Sequence, residues 1–429
     1  MSEYIVNKSK FVFTGEINIP PDKSISHRAV FLSSFNKDMT KITNLLLSDD
    51  VKTTMYSLGA IGVMFAENNG KFFTRGTGIK EYLPSPETID CGNSGTTARL
   101  LTGLLAGQNF ESVLDGDESL RKRPMDRIKT PLEEIGAEIY TTDGKFPVKI
   151  RGSKIKGGHI KLDSGSAQVK SAIIFAGLTG ESELTIETKI KSRDHTEILL
   201  EYFTDNIIVE DNIIKITPNP IIKNDLIDIP NDPSSAAFFI VGSLLNEGSS
   251  IKLEKICLNP TRIKFIEILQ EMGGDISYEN ISNISGEKVG DILVKHSNLK
   301  GIDISGEDIP LIIDEIPILS LAMSLAEGDS NILGATELRY KESDRINSIV
   351  SELSNLGADI NQINDDIKIK GKQILNGGTC KSHFDHRIAM MLAIAATRCT
   401  NEVQILDSNC VSISFPNFFE IFEQFRKNI

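Results

Sequence analysis

Cationic and small polar residues gather at five places along this chain, and each place opens an apolar, helix-like run. Lys23, Ser24 and Arg28 stand at the first. Asn93, Gly95, Thr96 and Arg99 stand at the second, with the basic string RKRPMDR just downstream. Ser164, Ser166, Gln168 and Lys170 mark the third. Lys341, Glu342, Asp344 and Arg345 open a fourth run, and Asp385, His386 and Arg387 a fifth. A helix N-terminus offers free N–H groups and partial positive charge, so it receives anions. Lys and Arg at the same point add charge-assisted, often bidentate, contacts to oxyanions. Taken singly, each cluster could be a capped helix or a solvated basic turn. Their recurrence at matching places points to a ligand with several anionic groups, gripped by both halves of the chain. Other chemistries lack their residues. GNSGTTAR has no Lys for a Walker loop. No G-x-S-x-G elbow surrounds Ser94 or Ser166, which disfavours a serine hydrolase. His383 and His386 have no evident third ligand, so no metal site is expected. Cys91, beside the glycine loop, reads as a buried thiol.

The elements that must position these residues repeat. Polar turns followed by apolar helices start near residues 23, 94, 166, 234, 315 and 386, a period of about 71 that spans nearly the whole chain. Second helices follow, and Gly59, Gly136, Gly273 and Gly357 suit the left-handed position just past their ends. AEIYTT, GDISYE, ADINQI, GTGIKEYL and GGTCKSHF read as β runs, giving a β-α-β-α-β-β unit. The segments AIIFAGL, AAFFIVGSLL and AMMLAIAA are apolar all round, the mark of buried helices. Six units suggest an α/β protein of two similar globular domains, each of three units around buried helices. Pro-rich crossings place hinges near 20–22 and 229–232. One domain would then be 21–230 and the other 1–20 plus 231–429.

Composition narrows the partners. The chain has 429 residues, 40% hydrophobic and 24% charged, within the globular range. Its net charge is −13 with no Trp, which argues against nucleic acid and means that anions must be held by local charge. Five scattered Cys without a CxxC pair predict a reducing, cytoplasmic setting without disulfides. No apolar h-region opens the chain and no apolar stretch reaches 18 residues, so neither a signal peptide nor a membrane span is expected.

The strings PPDKSISHRA, DCGNSGTTARLL, RKRPM, SAQVKSA, LRYKESDR and FDHRIAM, in this order from 21 to 390, closely resemble the 5-enolpyruvylshikimate-3-phosphate (EPSP) synthase family. SAQ with RDHTE is similar to its second sequence class. The resemblance implies the two-globe fold sometimes called an inside-out α/β barrel, a monomer, and no cofactor. It also implies transfer of the enolpyruvyl group of phosphoenolpyruvate to the 5-hydroxyl of shikimate-3-phosphate. Those substrates carry roughly four or five negative charges near neutrality, which suits the cationic inventory.

By resemblance, Lys23, Asp314 and Glu342 are the acid/base candidates. Lys23, Ser24, Arg28, Ser166, Gln168, Ser192, Asp314 and Lys341 are expected at shikimate-3-phosphate. Lys23, Gly95, Arg123, Gln168, Arg345, His386 and Arg387 are expected at phosphoenolpyruvate. Asn93 and Thr96 would shape the glycine loop, and Ala167 replaces the second Ser of many members. Many members also carry Lys two residues before the late Phe-Pro, where this chain has Ile413. Arg193 is expected to stand in for that cation. Rivals are the sister transferase acting on UDP-N-acetylglucosamine, an RNA-terminal phosphate cyclase, and a non-catalytic anion-binding relative. The first lacks its Cys loop here, the second is opposed by the negative charge, and the third by joint retention of Lys23, Asp314 and Glu342.

Overall fold

Five of the six core helices begin where the sequence supplies a side-chain cap. In a computed structural model, which describes residues 2–427, the six helices are Lys23–Ser33, Gly95–Ala106, Ala167–Thr179, Pro233–Leu245, Ile316–Leu325 and His386–Ala396. The side chains of Asp22, Ser94, Ser166, Asp232 and Asp385 accept from backbone N–H groups of the first turns. All 13 residues of Pro233–Leu245 and all 11 of His386–Ala396 are buried.

The strands obey one rule. In each four-stranded sheet two strands at one edge pair in parallel, and the two at the other edge form an antiparallel hairpin. Thus Gly158–Leu162 runs parallel to Leu184–Thr188, which pairs with Ile213–Ile216 and then Ile207–Glu210. Six of the sheets among the described residues contain a parallel pair, and in four of these the core helix joins its two strands, as parallel strands require a crossover. The other two are completed by distant chain: Leu226–Asp228 joins Met39–Thr43, and Thr14–Ile17 joins Ser250–Cys257. The last sheet recruits Glu3–Val6, antiparallel to Val403–Leu406. Among the described residues no sheet closes on itself.

The chain divides into two compact units. One holds the chain up to Pro20, Asn231–Ser282, and the chain from Lys288 onward; the other holds Pro21–Pro230 and Asn283–Glu287. The turn Asn283–Glu287 thus falls with 21–230, unlike the sequence reading. Ser285 Oγ accepts from the Asp228 N–H at 2.8 Å, and Glu287 meets His195 Nδ1 at 2.6 Å. Three local expectations also change. Gly59 is the last helical residue, and the left-handed glycine is Gly62 (φ 101°). GTGIKEYL forms no strand, because Gly76 lies against the Ser34 carbonyl and Gly78 turns left-handed. Lys341–Ser343 precede their helix, which begins at Arg345 with Asp344 as its cap.

In the 21–230 unit the core helices approach closely. A Cβ at Gly103 would lie 2.1 Å from the Ala172 carbonyl oxygen, so only glycine fits. Gly103→Ala is expected to lower unfolding free energy by about 1–3 kcal/mol through overpacking, although alanine favours helix by about 1 kcal/mol. Urea unfolding checks this, and a variant as stable as the parent would disprove the contact.

Candidate active site

Within the 21–230 unit, Lys23 occupies the first helical position after the Asp22 cap. Its ammonium meets Asp50 Oδ2 at 2.5 Å, at the start of the helix Asp49–Gly59. Arg28, one turn on, is buried among hydroxyls. Its Nε donates to Thr196 Oγ1 at 2.6 Å, Nη2 to Ser171 Oγ at 3.0 Å and Nη1 to the Ser24 carbonyl at 2.9 Å. Arg28 therefore joins Ser24 to the helix that Ser166 caps, and to Thr196 in the helix His195–Phe203. The helix Ala167–Thr179 begins at Ala167 and is tied to buried Ser192. Lys170 donates to Glu197 at 2.6 Å and lies 3.5 Å from the Ser192 carbonyl.

The glycine loop gathers a second group. Gly95 has two arginines against it: a Cβ there would meet Arg123 Nη1 at 3.0 Å and Arg99 Nη1 at 3.4 Å. Arg123 Nη2 donates to Asn93 Oδ1 at 2.6 Å, and Asn93 is fixed by Asp117 at 2.7 Å. Gln168 bridges Thr96 (3.0 Å) and Arg99. Asn93, Gly95, Thr96, Arg123 and Gln168 are thus brought together. Glycine keeps this floor flat between two guanidinium groups, a cradle for an oxyanion at a helix N-terminus. Burial, with Asp90 and Asp115 nearby, pushes the Cys91 thiol up, which disfavours its thiolate.

The other unit holds a buried charge network. Arg345 is fully buried and spends three donors on three carboxylates: Nε on Asp385 (2.8 Å), Nη1 on Asp314 (2.9 Å) and Nη2 on Glu342 (2.6 Å). Burial works against its charge, but Asp385, Glu342 and Asp314 outweigh it, so Arg345 holds its proton more tightly than an ordinary arginine. Arg387 lies 3.5 Å from Asp314 Oδ1, donates to the Asp314 carbonyl at 3.1 Å and sits 3.9 Å from Glu315. Glu315 in turn accepts from Ser234, which Arg262 meets at 2.8 Å while pairing with Asp232 at 3.0 Å. His386 is buried at the first position of its helix, beside Arg387. Lys341 is half-buried, just past the turn Thr336–Tyr340. His383 is turned towards Glu352 at 2.7 Å.

Sequence reasoning missed Asp50, Thr196, Asp232, Glu315 and Arg262, and named Asp385 without its partner Arg345. Asp385 and Asp232 carried a signal, since each caps a core helix and then also takes an arginine. Asp50 and Thr196 carried none, because their partners lie in other repeats or other helices.

Comparison with known proteins adds a name to this geometry. The family model described as EPSP synthase (3-phosphoshikimate 1-carboxyvinyltransferase) matches residues 8–422. The 3-phosphoshikimate 1-carboxyvinyltransferase of Thermodesulfovibrio yellowstonii is 45% identical over 431 residues, covering 99% of each chain. That of Alkaliphilus oremlandii is 40% identical over 427 residues, covering 99% of this chain and all of the other. Among solved structures, an EPSP synthase from Acinetobacter baumannii superposes with a TM-score of 0.88 at 38% identity, over 99% of this chain and 98% of that one. No helix among the described residues is long and apolar enough to cross a membrane.

Proposed function

Because the chain belongs to the EPSP synthase family, we infer that it transfers the enolpyruvyl group of phosphoenolpyruvate to the 5-hydroxyl of shikimate-3-phosphate and releases phosphate. This is a step of aromatic amino-acid biosynthesis. The 5-oxygen bonds to C2 of phosphoenolpyruvate while a proton reaches its methylene carbon, giving a tetrahedral intermediate. Loss of phosphate and of one methyl proton restores the double bond. Two proton movements therefore need positioned acids and bases.

The observation that carries the assignment of roles is the pairing of Asp314 and Glu342 on one buried guanidinium. Arg345 fixes both carboxylates in orientation, so each can take or give a proton without searching for its partner. We assign Asp314 to the hydroxyl proton and Glu342, with Lys23, to the methylene proton. Ser24, Arg28, Ser166, Ser192 and Lys341, with Gln168, Lys23 and Asp314, serve shikimate-3-phosphate. Gly95, Arg123, Arg345, His386 and Arg387, again with Lys23 and Gln168, serve phosphoenolpyruvate. Preorganised cations of this kind stabilise charge as it develops.

The test is phosphate release from phosphoenolpyruvate in the presence of a chelator, with either shikimate-3-phosphate or UDP-N-acetylglucosamine as acceptor. Turnover with shikimate-3-phosphate alone is expected. Turnover only with the nucleotide sugar would move the protein to the sister activity, and silence with both would reject catalysis.

Arg193, next to Ser192, is kept as the substitute for the cation absent at Ile413. Arg193→Ala is expected to raise KM for phosphoenolpyruvate by about tenfold, the worth of one charge-assisted contact, and KM for shikimate-3-phosphate far less. Equal changes in the two constants would reject this role.

A further inference from the structure

We propose that His27 is a positioning residue whose neutral, Nδ1-protonated ring ties the Lys23 helix to the glycine loop through the hydroxyls of Thr54, Thr97 and Ser94. The importance of this link rests on the assignment of Lys23 and Gly95 to substrate.

His27 is buried, four residues after Lys23 and one before Arg28. Its Nδ1 lies 2.7 Å from Thr54 Oγ1. Thr54 Oγ1 lies 2.7 Å from Thr97 Oγ1, and Thr97 Oγ1 lies 2.7 Å from Ser94 Oγ. Ser94 is the cap of the helix Gly95–Ala106 and accepts the Thr97 N–H at 3.2 Å. The wire therefore ends at the residue before Gly95. At its other end Lys23 and His27, one turn apart, meet Asp50 and Thr54, one turn apart on the next helix. Side chains at i and i+4 share a helix face, so the two contacts form successive rungs of one ladder.

Each hydroxyl has one proton, and that fixes the order along the wire. Thr97 gives its proton to Ser94 and so accepts from Thr54. Thr54 gives its proton to Thr97 at 2.7 Å; its other acceptor, the Asp50 carbonyl, is farther at 3.4 Å. Thr54 must then accept from His27, which requires a proton on Nδ1. The other ring nitrogen agrees. His27 Nε2 is buried with no hydrogen-bond partner, and a buried N–H without an acceptor is costlier than a bare lone pair. A doubly protonated ring would carry the same stranded N–H between Lys23 and Arg28. Burial, then those two cations, push its pKa well below the ordinary value.

A purely structural histidine would alter stability and leave substrate affinity alone, whereas a positioning histidine moves both. NMR of the full-length protein labelled with 15N-histidine is expected to show one ring, absent in His27→Asn, that stays neutral with its proton on Nδ1 from about pH 5.5 to 8.5. His27→Phe and the near-isosteric Thr97→Val are each expected to raise KM for phosphoenolpyruvate about tenfold, the worth of one buried hydrogen bond. The double variant should be no worse than either alone, since both cut one wire. His27→Asn, which keeps a donor facing Thr54, should recover most of the loss. An unchanged KM in folded Thr97→Val, additive losses, or a proton on Nε2 would each overturn the proposal. If the parent itself fails to turn over shikimate-3-phosphate, the family reading fails; the NMR measurement still decides the wire.

Discussion

Arg345→Met is expected to abolish measurable turnover and to cost about 3–5 kcal/mol of stability, the usual penalty for stranding a buried charge. Three carboxylates share that guanidinium, and Asp385 has no exposure to solvent through which to recover. Arg345→Lys separates charge from geometry. An ammonium restores the positive charge but not the planar fork that reaches three acids at once. It should regain much of the stability while kcat stays at least about a hundredfold down, because Asp314 and Glu342 are no longer aimed together. Urea unfolding and phosphate release measure the two effects. An active Arg345→Lys enzyme would show that aiming these carboxylates is unimportant.

Glu342→Gln is expected to lower kcat by about 10²–10⁴-fold, the range of general acid–base contributions, with little loss of stability. The amide oxygen can still accept from Arg345 Nη2, so the network stays closed while the titrating group is gone. Binding of shikimate-3-phosphate, followed by calorimetry, should survive. A normal kcat would remove Glu342 from the proton steps and leave Asp314 and Lys23 to carry them.

Much of this architecture could be read from the chain because its signals are local. Caps such as Asp22, Ser94 and Ser166 stand directly before apolar runs, and they mark helix starts to within about a residue. What escaped was set by partners far away in sequence. Nothing in the residues 226–228 says that they complete the sheet begun by Met39–Thr43. Gly59 followed a correct rule one turn too early, since the chain makes its left-handed step at Gly62. In the site, the family resemblance named residues and the structure supplied their couplings. Gln168 links Thr96 to Arg99, and Arg345 carries three acids. Gln168 and Asp385 make these contacts across different repeats, which spacing within one repeat cannot encode.

The strand Glu3–Val6 finds its partner only at Val403–Leu406. During synthesis the first twenty residues therefore leave the ribosome long before their sheet exists. At roughly 5–20 residues per second the wait is on the order of tens of seconds. Residues 21–230, contiguous in sequence, can meanwhile complete their three sheets. The waiting segment carries Lys8 beside and Lys10 within its short strands, and such charges discourage edge-to-edge association of unpaired strands. The unit that contains Val403–Leu406 can complete its sheets only after 21–230 has emerged, because it needs strands made far apart in translation.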